Sequence, residues 1–112
     1  MSEGTLGRTK LKVAALGFGC GAVGGLMVRG APKDQERAVA RAVELGINYF
    51  DTAPSYGNGE SERNLGRVLG LLKPNVLVGT KVNVPAAERA RVGAAIAVSL
   101  EASLRRLGAR FH

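Results

Sequence analysis

Short apolar runs begin near Leu16, Ile47 and Val76, and each gives way to a polar or glycine-rich segment. Their separation of roughly 30 residues is the length of one β-strand, a crossover helix and a return strand. The preceding segment, RTKLKVAALGFG, alternates at Leu11 and Val13, which predicts a short hairpin strand before the first run. The run NVLVGTKV is continuously apolar and predicts a buried strand of a parallel sheet.

Three further segments show helical spacing. The first, KDQERAVARAVELG, has Asp34 placed to cap it and ends at Gly46. The second ends at Lys73-Pro74, because proline cannot continue a helix, and the third begins at Ala87. Each helix has one face predicted to pack. On the first helix this face comprises Ala38, Val39, Ala42 and Val43, and on the second Leu65, Val68, Leu69 and Leu72. On the third it comprises Val92, Ala95, Ile96, Ser99, Leu100, Ser103, Leu104 and Leu107.

The alternation of strands and helices predicts an α/β protein. A fourth strand would begin near Ala109, where the sequence closes with ARFH. Three parallel strands cannot close a sheet, so we expect the last strand to be an exposed edge. We interpret residues 1–112 as one incomplete domain: an N-terminal hairpin and about three βα units of a larger fold whose C-terminal units are absent.

Composition and charge narrow the possible partners. The 112 residues are 46% hydrophobic, with a net charge of +7 from 16 Lys and Arg against 9 Asp and Glu. The basic residues are scattered and no aromatic residues interleave with them, so no nucleic acid is expected. Without a long apolar run or a signal-peptide layout, we expect no membrane association and a cytoplasmic location. One cysteine, Cys20, and one histidine suggest neither a disulfide nor a metal site.

Two α/β folds compete for the glycine-rich segment. GCGAVG, from Gly19 to Gly24, fits the G-x-G-x-x-G dinucleotide pattern, and Asp51 ends the next strand, where an acidic residue would hold a ribose. In a Rossmann unit, however, the helix opens within the glycine motif and meets the pyrophosphate. No helical periodicity starts here before about Asp34, and a long loop after a strand favours a barrel, whose working face is built from such loops.

Three segments, LGFGCGAVGG, INYFDTAPSYGNGESERNLGRVL and VLVGTKV, closely resemble in order and spacing the N-terminal part of the aldo-keto reductases. The resemblance extends from Leu6 to Gly108. Its most specific features are D-T-A-x-x-Y-G after a strand, a helix containing S-E-x-x-L-G, and a strand ending in lysine. The resemblance implies the N-terminal portion of a (β/α)8 TIM barrel and an NADP(H)-dependent oxidoreductase, with NAD(H) as the alternative cofactor.

The resemblance assigns catalysis to Asp51, Tyr56 and Lys81. Asp51 and Lys81 follow neighbouring parallel strands at their carboxyl ends, where barrel enzymes keep catalytic groups, so we expect them to face one another beneath Tyr56. A phenol holds its proton tightly at neutral pH, and an ammonium such as that of Lys81 favours the phenolate. In the implied reaction, NADPH delivers a hydride to an aldehyde or ketone while Tyr56 donates a proton, or the reverse occurs with an alcohol.

By the same resemblance, Asp51 touches the nicotinamide ribose, and the backbone at Gly19, Cys20 and Gly21 lies beside the nicotinamide. Cys20 stands where many relatives have a threonine. The expected substrate is a small-molecule carbonyl compound or alcohol, and the walls of its pocket come largely from other loops.

Several neighbouring residues are expected to serve structure. Tyr49 should pack within its strand, while Glu60, Ser61 and Glu62 should favour the helix start through the helix dipole. His112 falls near the expected start of strand four, so we do not assign it as the histidine that the family carries at the end of that strand. We expect the chain by itself to be inactive; alternatively, it is a non-catalytic fragment that self-associates through its open strand edge.

Overall fold

The computed structural model describes residues 2–108. Its strands are β1 (Glu3–Thr5), β2 (Lys12–Ala14), β3 (Phe18–Gly19), β4 (Tyr49–Asp51) and β5 (Leu77–Gly79). Its helices are α1 (Leu26–Arg29), α2 (Pro32–Glu44), α3 (Glu60–Leu72) and α4 (Val92–Leu107), with a 3-10 helix at Ala86–Arg91 ahead of α4. The predicted alternation of strands and helices is confirmed. The expected start of a fourth strand lies outside the described residues.

Within residues 2–108 the strands form two separate sheets. β3, β4 and β5 are parallel in that spatial order, with Phe18 opposite Phe50 and Phe50 opposite Val78. β1 and β2 form the antiparallel hairpin, with Glu3 opposite Ala14. The first strand of this hairpin was not predicted, because its short sequence EGT is fully exposed and carries no apolar alternation.

Asn48 joins the hairpin to the parallel sheet. Its side-chain Oδ1 accepts a hydrogen bond from the Ala14 backbone N–H at 2.8 Å, and its Nδ2 donates to the Lys12 carbonyl oxygen at 2.8 Å. One amide side chain thereby satisfies two backbone groups on β2. The hairpin is thus attached to the amino end of β4.

The hydrophobic core lies between the parallel sheet and the helices. Phe50, at the centre of β4, is fully buried among residues of α1, α2 and α3: Met27, Val39, Leu65, Val68 and Leu69. Because successive side chains of a strand point to opposite faces, Tyr49 and Asp51 lie on the other face of the sheet. Tyr49 spans the neighbouring strands there, since a Cβ atom at Gly79 would collide with its hydroxyl group. The prediction that Tyr49 packs within the strand agrees with this placement.

The helix starts differ from the predicted ones. Asp34 is not the cap of α2: the helix begins at Pro32, with Ala31 in the capping position, and Asp34 lies in its first turn and pairs with Arg37. Proline suits the first helical position because its missing N–H would have no partner there. One-turn α1 lies inside the glycine-rich loop and was not predicted, since four residues are too few to show periodicity.

Three elements with predicted apolar faces, β5, α4 and α3, are only partly covered. β5 is three residues long and half-buried rather than a long buried strand. On α4, Ala95, Ser103 and Leu107 are buried, whereas the predicted packing residues Val92, Ile96 and Leu100 are 45%, 38% and 45% exposed. Leu72, predicted on the packed face of α3, is 39% exposed. The periodicity correctly identified apolar faces, but a face is buried only where another element covers it.

None of the helices found in residues 2–108 combines the length and the apolar character needed to cross a membrane.

α3 and α4 approach each other closely at Gly66. A Cβ atom there would lie 2.6 Å from the carbonyl oxygens of Arg106 and Leu107. Gly70, one turn further along α3, has no atom within 4 Å of its Cβ position. The two glycines occupy the same helix, but only Gly66 lies where an added side chain would meet α4.

We expect Gly66→Ala to destabilise the chain by about 1–3 kcal/mol, because the added methyl group forces the two helix backbones apart. Gly70→Ala is the matched control, and we expect it to stabilise α3 by roughly 0.5–1 kcal/mol, since alanine is the better helix former. Urea unfolding followed by circular dichroism measures both. Equal effects of the two substitutions would contradict the close approach.

Candidate active site

The carboxyl ends of β4 and β5 bring two charged residues together. Asp51 is the last residue of β4, and Lys81 follows the end of β5 by two residues. The Thr52 N–H donates to the Gly79 carbonyl oxygen at 2.8 Å, which keeps the chains adjacent as they leave the sheet. The Lys81 and Asp51 side chains consequently project from the same edge and face one another.

The Lys81 ammonium is the centre of the site. Its Nζ lies 3.3 and 3.2 Å from the two Asp51 carboxylate oxygens and donates to the Thr52 carbonyl oxygen at 2.9 Å. It also lies 3.3 Å from the Tyr56 hydroxyl oxygen and 4.9 Å from the centre of the Tyr56 ring. The structure thus brings together all three residues predicted to be catalytic, which we call the Asp51–Tyr56–Lys81 cluster.

Tyr56 reaches the cluster because its loop folds back. The Tyr56 N–H donates to the Ala53 carbonyl oxygen at 3.2 Å, and the Tyr56 carbonyl oxygen accepts from the Ser61 N–H at 3.2 Å. Its ring lies over Gly21, where a Cβ atom would be 3.8 Å from the aromatic carbons. The turn that follows Tyr56 uses Gly57, whose φ of 62° favours glycine.

The charges of the cluster act on Lys81. Partial burial lowers the pKa of the Lys81 ammonium, but hydrogen bonds to Tyr56 and Asp51 and the charges of both groups outweigh it, so the pKa is raised. Lys81 is therefore cationic at neutral pH. About half of each side chain remains exposed, at 49% for Lys81 and 46% for Asp51, so water screens their attraction.

The three residues predicted to lie beside the nicotinamide differ in the free space around them and in their burial. Gly19 has open space where a Cβ atom would be, and Gly21 lies against the Tyr56 ring. Cys20 is 1% exposed and belongs to the hydrophobic core. Its N–H donates to the Asp51 carbonyl oxygen and its carbonyl oxygen accepts from the Ser61 hydroxyl, so both backbone groups of Cys20 are already paired within the protein.

Ser61 and Glu62 were assigned only to the helix dipole, and that assignment misses what they do. Both are fully buried. The Ser61 hydroxyl donates to the Cys20 carbonyl oxygen at 2.8 Å and shares a 2.7 Å hydrogen bond with the Thr52 hydroxyl. Glu62 accepts hydrogen bonds from Thr80 at 2.8 Å and from Arg106 at 2.7 Å.

Helical spacing could have identified these two residues. Ser61 lies four residues before Leu65, and Glu62 lies three before it, so both extend the buried face of α3 into its first turn. Glu60 lies off that face and is exposed, where it pairs with Arg63 at 2.8 Å. Among the three, only Glu60 has the exposed position that the dipole assignment assumed.

Residues 2–108 contain no group of three histidine, cysteine or acidic side chains that could hold a metal ion. His112 lies outside the described residues.

The parallel βα units and the charged cluster at their carboxyl ends define the N-terminal portion of a barrel-type α/β fold. A model of the Aldo/keto reductase family matches residues 15–110, and the chain belongs to this family. The Rossmann alternative is wrong: no helix begins within Gly19–Gly24, and the matching solved structures are aldo-keto reductases.

Three similar proteins illustrate the relationship. L-galactose dehydrogenase from Arabidopsis thaliana is 43% identical over 79 residues, which are 68% of this chain and 25% of that protein. A thermostable aldo-keto reductase solved with the inhibitor epalrestat shares 28% identity with a TM-score of 0.76, over 96% of this chain and 39% of that one. An aldo-keto reductase from Klebsiella pneumoniae in complex with NADPH shares 29% identity with a TM-score of 0.64, over 96% and 36% of the two chains. The chain spans about a quarter of the length of the curated relatives.

The buried position of Cys20 in the hydrophobic core can be tested at this single residue. Burial, and secondarily the charge of Asp51, raise the pKa of its thiol from 9.0 to about 12. We expect alkylation by iodoacetamide at pH 8 to be slower in the folded chain than in urea by a factor on the order of 10²–10³, because the thiolate is the nucleophile. Mass spectrometry of quenched samples measures the rate at this one cysteine, and Cys20→Ser gives the background.

The raised pKa of the Cys20 thiol also makes the stability of the chain depend on pH. The unfolded thiol ionises near pH 9.0 and the folded one near pH 12, so the unfolded state loses its proton first as the pH rises. The stability of the chain should therefore fall between these two pH values. Equal alkylation rates in the folded and unfolded chains would contradict the buried position of Cys20.

Proposed function

We propose that this chain carries the proton-transfer residues of an NADP(H)-dependent carbonyl reductase, which acts in reverse as an alcohol dehydrogenase. One observation carries the proposal: the Lys81 ammonium lies 3.3 Å from the Tyr56 hydroxyl while it is paired with Asp51. The three side chains come from two strand ends and one loop, and their arrangement is that of an acid whose proton release is assisted by a nearby cation. The family membership supports an oxidoreductase reaction.

Each residue has a separate task in this proposal. Tyr56 gives its hydroxyl proton to the carbonyl oxygen as negative charge develops there. Lys81 stabilises the phenolate that remains, because opposite charges within about 4–6 Å favour the ionised form. Asp51 keeps the ammonium charged and holds it in place.

The residues present fit the nicotinamide end of the cofactor. The half-exposed Asp51 carboxylate can accept a hydrogen bond from a ribose hydroxyl, and Gly19 leaves the adjacent surface free of side chains. The bound cofactor would supply the hydride. NADP(H) is proposed because the Klebsiella relative binds NADPH. NAD(H) stays the alternative, since the two cofactors have the same nicotinamide ribose.

We further propose that the 112-residue chain alone does not turn over substrate. Within residues 2–108 the parallel sheet has three strands, which form only one side of a substrate pocket. The half-exposed Asp51 and Lys81 face water rather than the dry cavity in which such groups act strongly. The substrate class, a small carbonyl compound or alcohol, follows from the proposed proton transfer.

The test uses a chimera in which residues 15–108 replace the matching segment of the thermostable aldo-keto reductase. We expect it to oxidise NADPH in the presence of a nitrobenzaldehyde. Tyr56→Phe should lower kcat by about 10²–10⁴-fold, since it removes the proton donor and leaves the ring in place. Stopped-flow absorbance at 340 nm follows the reaction.

Tyr49→Phe is the matched control for this substitution. It removes the same atom from a tyrosine two residues before Asp51, and we expect kcat to stay within about twofold because no hydrogen bond joins Tyr49 to the cluster in the described structure. A folded chimera that is inactive, or one that keeps full kcat after Tyr56→Phe, would refute the proposed role of Tyr56.

A second candidate function is association with another copy of the chain. The observation that favours it is a stripe of exposed apolar residues on α4 (Val92, Ile96 and Leu100), here called the α4 stripe, together with β5, which within residues 2–108 pairs only with β4. An open strand edge and an apolar stripe are both surfaces that a second chain can cover.

For this candidate we expect the mass measured by light scattering to rise with chain concentration. Ile96→Glu should return the mass toward that of the monomer, because a carboxylate in a buried interface is unfavourable. Leu45→Glu, at the end of α2, is the control, since Leu45 is also exposed (50%) but lies outside the α4 stripe. A constant monomer mass at all concentrations excludes self-association.

A further inference from the structure

The Glu62 carboxylate is the one fully buried charge in the part of the chain that the structure describes. Its Oε1 accepts from Arg106 Nε at 2.7 Å, and its Oε2 accepts from the Thr80 hydroxyl at 2.8 Å. Removing a carboxylate from water is strongly unfavourable before its partners compensate. Glu60, in the same helical turn, is exposed and interacts with the helix dipole without this penalty. Burial of Glu62 therefore needs another explanation.

The position of Thr80 supplies that explanation. The ladder between β4 and β5 ends at the pair Asp51–Gly79, so Thr80 and Lys81 lie beyond its last pairing. Successive side chains of an extended chain point to opposite sides. The Thr80 hydroxyl reaches Glu62 on the helix side, and Lys81 reaches Asp51 on the other side.

We propose that Glu62 is a positioning residue that acts through Thr80. By holding the Thr80 hydroxyl, it fixes the backbone from which Lys81 projects and so keeps the ammonium within reach of Asp51 and Tyr56. Arg106, from α4, pairs with the other carboxylate oxygen and makes burial of Glu62 possible. The catalytic meaning of this role rests on the proposed carbonyl reduction, whereas the placement of Lys81 can be measured without it.

The measurement is the titration of Lys81 in the full chain. The chain has five lysines, so ¹³C-labelled lysine gives few Cε–Hε NMR signals, and Lys81→Arg identifies the signal of interest. Asp51, on β4, and Tyr56, on the following loop, are the titratable groups that face Lys81 and raise its pKa. In Thr80→Val, which removes only the hydroxyl contact, we expect the pKa of Lys81 to fall toward its ordinary value of 10.5.

Conservative variants separate positioning from general stability. Thr80→Ser keeps the hydroxyl and should restore the raised pKa of Lys81. Thr9→Val is the matched control, because it removes a threonine hydroxyl from an exposed turn that is distant in sequence from Thr80. If Thr80→Val unfolds, Thr80→Ala is measured instead, since its smaller side chain admits a water molecule to Glu62. A folded Thr80 variant with an unchanged Lys81 pKa overturns the proposal, as does unfolding of both variants, which would show that the contact serves only stability.

The chimera tests the consequence for catalysis. There, Thr80→Val should lower kcat by about 10–100-fold, because a displacement of about 1 Å at a catalytic group has effects of this size. We expect KM for NADPH to stay within about twofold and Thr80→Ser to recover kcat. If the Lys81 titration moves but the chimera is inactive, the proposed function fails and the positioning stands. If the chimera is active and Thr80→Val changes neither Lys81 nor kcat, the positioning role is wrong.

Discussion

The structure depends on the polar first turn of α3, which is bonded to the ends of all three parallel strands. Ser61 holds the Cys20 carbonyl oxygen after β3 and the Thr52 hydroxyl after β4, and Glu62 holds the Thr80 hydroxyl after β5. Buried polar groups of this kind are stable only when every partner is present. Among residues 2–108, no buried side-chain nitrogen or oxygen lacks a partner, so this condition is met.

This arrangement links the fold to the candidate site through the alternation of side chains. Thr52 and Thr80 point toward α3, and each adjoins a charged residue, Asp51 or Lys81, that points the other way. The contacts on the helix side therefore fix the separation of the two charges on the opposite side. A lysine with four freely rotating methylenes would otherwise lose considerable entropy on being held near two partners. Because Thr80 fixes the backbone next to Lys81, less backbone entropy is lost when the Lys81 side chain is held near its partners.

Much of the fold and of the candidate site could be predicted from the sequence, and the physical reason differs from residue to residue. The βα order follows from periodicity, and the family motif indicated Asp51, Tyr56 and Lys81 because their spacing is specific. Ser61 and Glu62 were misassigned because polar residues in a first helical turn usually face solvent. Their spacing from Leu65 indicates the buried face of α3, whereas the partners that satisfy them are known only from the structure. The exposure of Ile96 could not be predicted either, since periodicity identifies an apolar face but not its covering.

Within residues 2–108, the exposure of the Asp51–Tyr56–Lys81 cluster and the unpaired edge of β5 both reflect a parallel sheet of three strands. Within the described residues the parallel sheet is covered by helices on one face, while Tyr49, Asp51 and the side chain of Lys81 lie toward the other. Water at that face weakens the attraction between Asp51 and Lys81, because the interaction energy varies inversely with the effective dielectric constant. A closed barrel around these strands would exclude that water and strengthen the proposed interaction of Lys81 with Tyr56. The same closure would give β5 a second neighbour, so the conditions for a stable sheet and for the proposed proton transfer would be met together.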